Sequence, residues 1–535
     1  MKKWIILASA WAGLAGAARA VETKFWVQDS RQDYEKAVVK RLSVRGDGRI
    51  SLAPSFEELY DSSTQYLWAV AQDSKGVLYA GGGSPNSSTA ALVAIDPDGK
   101  SRVAAELPGM QIQAIAIGRG DQVYAATSPD GKVYRIGPGG KQDVFYDPKS
   151  KYIWAMVFDP KGGLFIATGD QGEVHRVRPS GEGEVFFRTE ETHARSLALD
   201  AHGNLIVGTE PGGLVLRVPA AGEGFVLYQS PKREVTAVAA ARDGSIYAAA
   251  AGVKQPGALP PAAQPAPAPA PGPATPAAAP AAGGQRAQAV PAPPPTLAPP
   301  PLPAAGGSEV YRIDAEGYAR KVWSDAREVV YAIGFDPEGR ALIGTGNEGN
   351  VHRIDSDTVS TLLLKAAPSQ VTAFASGKRG ELYAVTGNVG KLYRIGPGLE
   401  KEGYLESDIL DAGSFSYWGR LSFKGEVRGG SLTIETRSGN LDRPRNNWSP
   451  WSKLAPGVDG GRIQSPPARF LQWKATLSAA ADGQSPSLRG IEAAYLPKNV
   501  APVLREIEST PANYRFPTAS LSLTPSQTLS LPPLG

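Results

Sequence analysis

The short segment Trp154–Val177 contains several side chains that could carry chemistry. It holds Asp159, Asp170, Glu173 and His175, and carboxylates with an imidazole are groups that ligate divalent metals or transfer protons. If the four side chains converged, the chain would be a candidate enzyme. If the segment is one copy of a structural repeat, the same residues have separate structural roles, so the repeats decide the question.

The segment is one copy of an internal repeat. Each copy ends in a short strand such as YRI or HRV, and the first copy is a weaker form of it. The final aliphatic residues of the copies are Ile95, Ile136, Val177, Val218, Ile313, Ile354 and Ile395. Their spacing is 41 residues, apart from one interval of 95 that contains a 54-residue insert rich in Pro and Ala. Four short strands and Asp/Gly turns per copy are typical of a β-propeller blade, so seven copies predict seven blades.

Alignment of the copies separates the polar residues of the segment. His175 occupies a position that accepts Tyr, His or Leu in the other copies, which indicates packing rather than metal ligation. Asp159 lies in the turn after the innermost strand, where Asp bonds backbone N–H groups. Asp170 lies in the hairpin between the second and third strands, at the opposite end. The sequence therefore predicts no shared metal site in this segment.

One column of the repeat is chemically variable. It lies at the start of each innermost strand, where Ala or Ser follows it, and holds Trp68, Gln113, Trp154, Arg195, Thr236, Tyr331 and Thr372. The constant small residue is explained by close approach of strands near the propeller axis. Aromatic residues with a few polar groups are typical of small-molecule and peptide sites. We predict a binding site at the channel mouth from Trp68, Gln113, Trp154, Arg195, Tyr331 and Thr372; the alternative is that these side chains plug the channel.

A metal-dependent alternative uses the same face. The hairpins there carry Asp170, Glu210, Asn347 and Asn388, whose oxygens could ligate calcium in a lactonase-like hydrolase. His193 could act as a lyase-type base, or it is a solvated loop histidine. No spacing selects a ligand set, and the nucleophile-elbow, HExxH and P-loop motifs are absent. The sequence thus assigns no catalytic or metal-ligating residue.

Two segments carry a family resemblance. The repeats WAMVFDPKGGLFIATGDQGEVHRV and YAIGFDPEGRALIGTGNEGNVHRI resemble NHL-type and sensor-type bacterial propellers. The C-terminal strings SDILDAG, WGRLSF, WSPWS and ARFLQWKATL resemble a β-sandwich that follows such propellers in exported bacterial proteins of unassigned activity. The resemblance implies an all-β chain with a seven-bladed β-propeller followed by an antiparallel β-sandwich. It implies no single activity, because propellers include lactonases, lyases, sensors and binding scaffolds.

The chain divides into four parts by composition and period. Basic, apolar and A-x-A regions in sequence indicate a signal peptide. The predicted parts are the signal peptide 1–20, the propeller 21–403, the β-sandwich 404–497 and a Pro/Ser-rich tail 498–535, which looks truncated. Within the propeller, residues 50–62 are expected to be an outer strand that closes the ring. Residues 253–306 form the insert of blade five, which favours extended polyproline II and is either a tolerated loop expansion or a docking arm.

Two tryptophans of the predicted sandwich lie in the polar loop RPRNNWSPWS. Trp448 and Trp451 could stack on a glycan, and the alternative is that they pack in the core.

Composition limits the class of partner. The chain has no cysteine, which excludes disulfides and thiolate chemistry. The net charge of +4 becomes +1 if Lys2, Lys3 and Arg19 leave with the signal peptide, so no nucleic-acid partner is expected. No later segment approaches the ~18 apolar residues that a membrane span requires.

We therefore expect an exported protein, periplasmic or secreted. Its predicted role is non-enzymatic recognition of a protein, peptide or glycan, with no cofactor. The alternative is a divalent-metal-dependent hydrolase or lyase in the same channel mouth, with calcium as its metal.

Overall fold

The computed structural model describes residues 22–254, 306–366, 368–444, 446–455 and 459–499. These residues form strands and three short 3-10 helices, Arg31–Tyr34, Arg119–Asp121 and Pro138–Gly140, and contain no α-helix. The all-β prediction is confirmed. The predicted signal peptide lies outside the described residues, as do nearly all of the Pro/Ala-rich insert and of the C-terminal tail.

The repeats form four-stranded antiparallel units, and the described residues contain seven of them, consistent with the predicted blades. The innermost strands of units 1 to 7 are Tyr66–Gln72, Gln111–Ile117, Ile153–Phe158, His193–Leu199, Lys232–Ala240, Val330–Phe335 and Gln370–Ser376. The second strands are Leu78–Gly83, Val123–Ser128, Leu164–Thr168, Leu205–Glu210, Ile246–Val253, Ala341–Thr345 and Leu382–Gly387. The third strands are Thr89–Ile95, Val133–Ile136, Glu173–Val177, Leu214–Val218, Ser308–Ile313, Asn350–Ile354 and Lys391–Leu399. The outer strands are Ser101–Pro108, Gln142–Tyr146, Gly183–Arg188, Phe225–Gln229, Ala319–Asp325, Ser360–Lys365 and, in unit 7, Pro54–Asp61.

The turns between first and second strands follow from their Asp and Gly residues. In unit 1 the Asp73 carboxylate accepts the N–H groups of Lys75 and Val77, both at 2.9 Å. Gly76 takes a φ of 89°, which side chains with a Cβ disfavour. Each unit thus encodes its own hairpin locally.

The units close into a ring. Each innermost strand contacts the innermost strand of the next unit, and the strand of unit 7 contacts that of unit 1. Apolar clusters fill the spaces between adjacent units. Unit 7 is completed by Pro54–Asp61, which pairs with Lys391–Leu399 and stacks Phe56 on Tyr393 with ring centroids 4.4 Å apart. The two ends of the repeat region therefore share one sheet.

A second β-structure follows the ring. Its C-terminal strands are Glu402–Glu406, Leu410–Glu426, Ser431–Gly439, Ser452–Lys453, Gly460–Arg462, Ala468–Ser478 and Ser487–Pro497. All pairing among them is antiparallel, and the fully buried Trp473 lies in their apolar core. This arrangement is consistent with the predicted sandwich.

The N-terminal strands belong to this second structure. They are Lys24–Gln28, Val38–Lys40, Leu42–Arg45 and Ile50–Leu52. Lys24–Gln28 pairs with Ser487–Pro497, and the Trp473 Nε1–H donates to Gln28 Oε1 at 2.7 Å. This differs from the sequence analysis, which groups residues from 21 onward with the propeller, because these strands occur once and the 41-residue period says nothing about them.

One of these strands joins the two structures. Leu42–Arg45 pairs with Ile50–Leu52 on one side and with Ser360–Lys365, the outer strand of unit 6, on the other. The Ser43 hydroxyl adds a bond to the Leu363 carbonyl at 2.8 Å. Backbone hydrogen bonds therefore run without a break from unit 6 into the C-terminal β-structure.

Candidate functional site

A β-bulge interrupts every innermost strand at the same position. In unit 3, Ile153 pairs with Thr168 and Ala155 with Ala167, so Trp154 has no partner in the ladder. The residues skipped in this way are Trp68, Gln113, Trp154, Arg195, Thr236, Tyr331 and Thr372. A bulge redirects the side chain of the extra residue. The variable column of the sequence is thus the set of bulge residues, which have no ladder partner and lie at one end of the ring.

Two of the bulges carry stacked aromatic pairs. Tyr66 stacks on Trp68 with centroids 4.9 Å apart, and Tyr152 stacks on Trp154 at 5.2 Å, each pair within 12° of parallel. Each partner precedes the bulge by two residues. Gly169 makes room for the second pair, because an added Cβ would lie 3.0 Å from the Trp154 Nε1 and 3.1 Å from the Tyr152 Cβ. Tyr66 and Tyr152 were not among the residues predicted from the sequence, although their spacing from the tryptophans repeats.

Trp154 begins a series of contacts that crosses three units. Its Nε1–H donates to His193 Nδ1 at 3.3 Å, in unit 4. The Arg195 guanidinium lies 4.1 Å from the centre of the Trp154 ring, a cation–π contact. The Arg195 Nε also donates to Glu234 Oε1 of unit 5 at 2.5 Å. An indole, a cation and a carboxylate therefore form one continuous group around the mouth.

Tyr331 completes this group from unit 6. Burial raises the pKa of its phenol, the charge of Glu234 raises it further, and Arg195 lowers it. The phenol therefore stays protonated at neutral pH and can donate or accept a hydrogen bond. Of the predicted residues, the structure brings Trp154, Arg195 and Tyr331 together, and it adds Glu234, which the sequence analysis did not include.

The other predicted residues behave differently. The Thr372 hydroxyl donates to the carbonyls of Leu67 at 2.5 Å and Val385 at 3.1 Å, and Thr372 is only 7% exposed. Thr236 makes an equivalent bond to the Val330 carbonyl at 2.7 Å. These threonines hold neighbouring units together rather than facing a ligand. Gln113 is half-buried at its bulge.

The polar residues of the Trp154–Val177 segment have structural partners. Asp159 accepts the Gly163 N–H at 2.8 Å and pairs with Arg176 at 3.1 Å. His175 is 4% exposed and lies 3.1 Å from Glu173, and its Nδ1 is 2.9 Å from the Tyr146 hydroxyl. This buried network was not foreseen, although Glu173 and His175 are two residues apart and so share one face of a strand.

The hairpin residues do not form a ligand set. Asp170, Asn347 and Asn388 adopt positive φ angles of 63°, 72° and 64°, the conformation that their turns require. Glu210 pairs with Arg233 at 3.1 Å. Across the described part of the chain, no three His, Asp or Glu residues are grouped so that they could hold a metal ion.

The two loop tryptophans of the C-terminal structure are held by other side chains. Trp448 is 7% exposed, and its Nε1–H donates to the Leu441 carbonyl at 3.0 Å. The Arg437 guanidinium lies 4.4 Å from the Trp451 ring centre. Trp448 therefore offers no free ring face for a glycan, and one side of Trp451 already carries a cation.

A cavity of about 1230 Å³ lies away from the mouth, between the N-terminal segment and the outer parts of units 5 and 6. Its lining mixes both charges, including Arg41, Arg327, Glu328 and Glu348. This mixture points to no particular ligand.

Comparisons with known proteins give fold-level similarity only. No protein-family model and no curated protein matches the chain. Among solved structures, virginiamycin B lyase from Staphylococcus aureus has 11% identity and a TM-score of 0.46, over 64% of this chain and 99% of that one. The extracellular domain of a putative hybrid two-component system from B. thetaiotaomicron has 12% identity and a TM-score of 0.43, over 81% and 51%. The WD40 β-propeller domain of Doa1 has 8% identity and a TM-score of 0.44, over 64% and 97%.

The four-stranded units that close into a ring of innermost strands give the chain a β-propeller fold. The low TM-scores and identities support no assignment of activity. A search of the described residues for helices long and apolar enough to cross a membrane finds none.

Proposed function

We propose that the protein is an exported recognition module that binds a protein, peptide or glycan at the channel mouth without catalysing a reaction. The supporting observation is the set of seven bulges. Each bulge leaves one residue per unit outside the strand pairing, at one end of the ring. Strand pairing does not require these positions to be Trp, Arg or Tyr. Their aromatic and charged character is therefore free to serve a ligand.

The character of the mouth favours binding over catalysis. Arg195 is neutralised by Glu234 and covered by Trp154, so it is held in place. Rigid aromatic side chains and an oriented Arg are typical of binding hot spots. The metal-dependent alternative needs several converging ligands, and the described residues offer no such group in its support.

The test is capture of envelope components by the purified full chain and by the Trp154→Ala and Arg195→Ala variants. We expect saturable capture of a defined component by the native chain and loss of at least about tenfold in affinity in each variant, as for hot-spot residues. Arg178→Ala is the matched control, because Arg178 is exposed and pairs only loosely with Glu182 at 3.6 Å. Unchanged capture by both mouth variants, with unchanged thermal stability, would overturn the proposal.

A further inference from the structure

The Tyr66 side of the mouth contains two buried polar atoms without a hydrogen-bond partner in the described part of the chain. They are the Nε1–H of Trp68 and the amide Oε1 of Gln370. Both flank Tyr66: Trp68 stacks on it, and a Cβ added at Gly387 would lie 2.6 Å from a Tyr66 ring carbon and 2.8 Å from Gln370 Oε1. A donor and an acceptor thus lie near one aromatic ring.

The unpartnered indole N–H is found in unit 1 but not in unit 3. In unit 3 the corresponding indole N–H, that of Trp154, is bonded to His193 of the next unit. The residue equivalent to His193 in unit 2 is Gln111, and it leaves the Trp68 N–H unpartnered. Native proteins pair nearly all buried polar atoms, so an orphan donor beside an aromatic face points to a ligand that accepts a hydrogen bond there.

The proline-rich insert begins and ends on the same face. It is bracketed by the pairing of Ala251 with Ser308, at the hairpin of unit 5. The Lys232 ammonium, at the start of the innermost strand of that unit, donates to the Gly306 carbonyl at 2.5 Å. Glu234, two residues further on, belongs to the mouth. The described residues that flank 255–305 therefore lie beside the channel.

The reach of the insert is sufficient. Polyproline II extends about 3.1 Å per residue, so half of a segment of this length would span roughly 75 Å in that conformation, several times the ~10 Å between packed sheet faces. Units 5 and 1 are separated by two units around one ring. The length of the segment therefore places no limit on contact with Tyr66.

We propose that Tyr66, Trp68 and Gln370 bind proline-rich peptide in the polyproline II conformation, and that residues 255–305 of the same chain are the occupant. Polyproline II makes no internal hydrogen bonds, so its carbonyls are free to accept the Trp68 N–H. In the run PAPAPAP, residues 265–271, every second residue is Ala and keeps an N–H that can donate to Gln370. Proline rings pack on aromatic faces, as they do in the aromatic grooves of proline-recognition domains.

This inference rests on the proposed function, since it names the ligand class of the mouth. It is tested with the full chain and with a full-length variant in which residues 255–305 are replaced by a Gly/Ser segment of equal length. The probe is a synthetic peptide of residues 262–281, titrated by calorimetry and tryptophan fluorescence. The control peptide has every Pro replaced by Ser.

We expect the peptide to bind the replaced chain and to bind the native chain at least about tenfold more weakly, because the tethered segment competes at high effective concentration. Trp68→Phe and Gln370→Met, made in the replaced chain, should each weaken binding at least about fivefold, with near-UV circular dichroism verifying the fold. Arg178→Ala in the same chain should leave peptide affinity unchanged, because Arg178 is exposed and follows the third strand of unit 3, away from Tyr66, Trp68 and Gln370.

The remaining outcomes count against the inference or against the proposed function. No binding to the replaced chain rejects the ligand class, and equal binding to both chains rejects the insert as occupant. If envelope components are captured through Trp154 and Arg195 while the peptide does not bind, this inference fails and the proposed function stands. If the peptide binds through Trp68 while those two variants lose no capture, the proposed envelope partner fails and this inference stands.

Discussion

The indole Nε1 of Trp154 donates to His193 Nδ1 at 3.3 Å across the boundary between units 3 and 4. Gly169, at the end of the second strand of unit 3, lies beneath this contact. An added Cβ there would be 2.8 Å from the His193 Nδ1 and 3.0 Å from the Trp154 Nε1. The geometry of the mouth on this side therefore depends on a residue that has no side chain.

The first prediction concerns Gly169→Ala. The added methyl group must displace Trp154 or His193, so we expect a loss of roughly 1–3 kcal/mol in the free energy of unfolding, as for overpacking. Ligand affinity at the mouth should also fall. Urea denaturation and binding titration measure the two effects. Gly137→Ala is the control, because the nearest atom to its added Cβ lies at an ordinary 3.4 Å; an equal loss in both variants would contradict the prediction.

The second prediction separates ring structure from ligand contact at Thr372. Thr372→Val keeps the shape but removes the bonds to Leu67 and Val385, so the free energy of unfolding should drop by about 1 kcal/mol. Binding at the mouth should be unchanged, in contrast to Trp154→Ala. If Thr372→Val lowers ligand affinity without lowering stability, the prediction is wrong and Thr372 contacts the ligand.

The third prediction concerns the pH dependence of stability at Glu328, which is 5% exposed. Burial raises the pKa of this carboxyl, but the neighbouring His352, Thr345 and Asn350 lower it by more than burial raises it. The net result is a pKa lowered from 4.5 to about 2. Because the folded-state value lies below the unfolded one, ionised Glu328 stabilises the fold above pH 4.5. That contribution, about 3 kcal/mol, is lost as the pH falls from 4.5 toward 2.

Glu328→Gln should therefore be less stable than the native chain at pH 7, and the difference should shrink at pH 3. Denaturant unfolding at several pH values measures both. Glu182→Gln is the control, since Glu182 is largely exposed and its change should stay within about 0.5 kcal/mol. A pH-independent difference for Glu328→Gln would show that its charge is not the source of the stability.

The fourth prediction tests the place of the N-terminal strand. Gln28→Ala leaves the buried Trp473 N–H without its partner, which should cost roughly 1–3 kcal/mol in the unfolding of the C-terminal structure. Urea denaturation measures this loss. Gln32→Ala, on the exposed surface four residues later, should change the unfolding free energy by less than about 0.5 kcal/mol. Equal effects would indicate that the strand contributes no specific contact.

The repeat made much of the ring predictable from sequence. A 41-residue period fixes which residues are equivalent, so the turn role of Asp159 and the variable column follow from alignment. The bulges do not follow, because a one-residue shift in pairing leaves no mark in composition. Thr372 looks like its neighbours in the column, and only its bonds to other units show that it is structural. Glu234 was not included because it precedes its bulge rather than occupying it.

Structural features that occur only once in the chain could not be predicted from the sequence. The pairing of Lys24–Gln28 with Ser487–Pro497 joins segments at opposite ends of the chain, and no local pattern encodes such a partner. The burial of Trp448 depends on the packing of its loop against neighbouring strands. Local signals therefore predicted the units, while contacts between distant segments required the structure.

The N-terminal strands also limit how early the fold can be completed during synthesis. Lys24–Gln28 and Pro54–Asp61 are synthesised more than 300 residues before their partners, Ser487–Pro497 and Lys391–Leu399. At a synthesis rate of about 5–20 residues per second, the earliest strand waits roughly 20–90 s for its partner. Throughout that time it is an unpaired edge open to other chains. A nascent chain stalled before residue 487 would therefore be more prone to aggregate than one released complete.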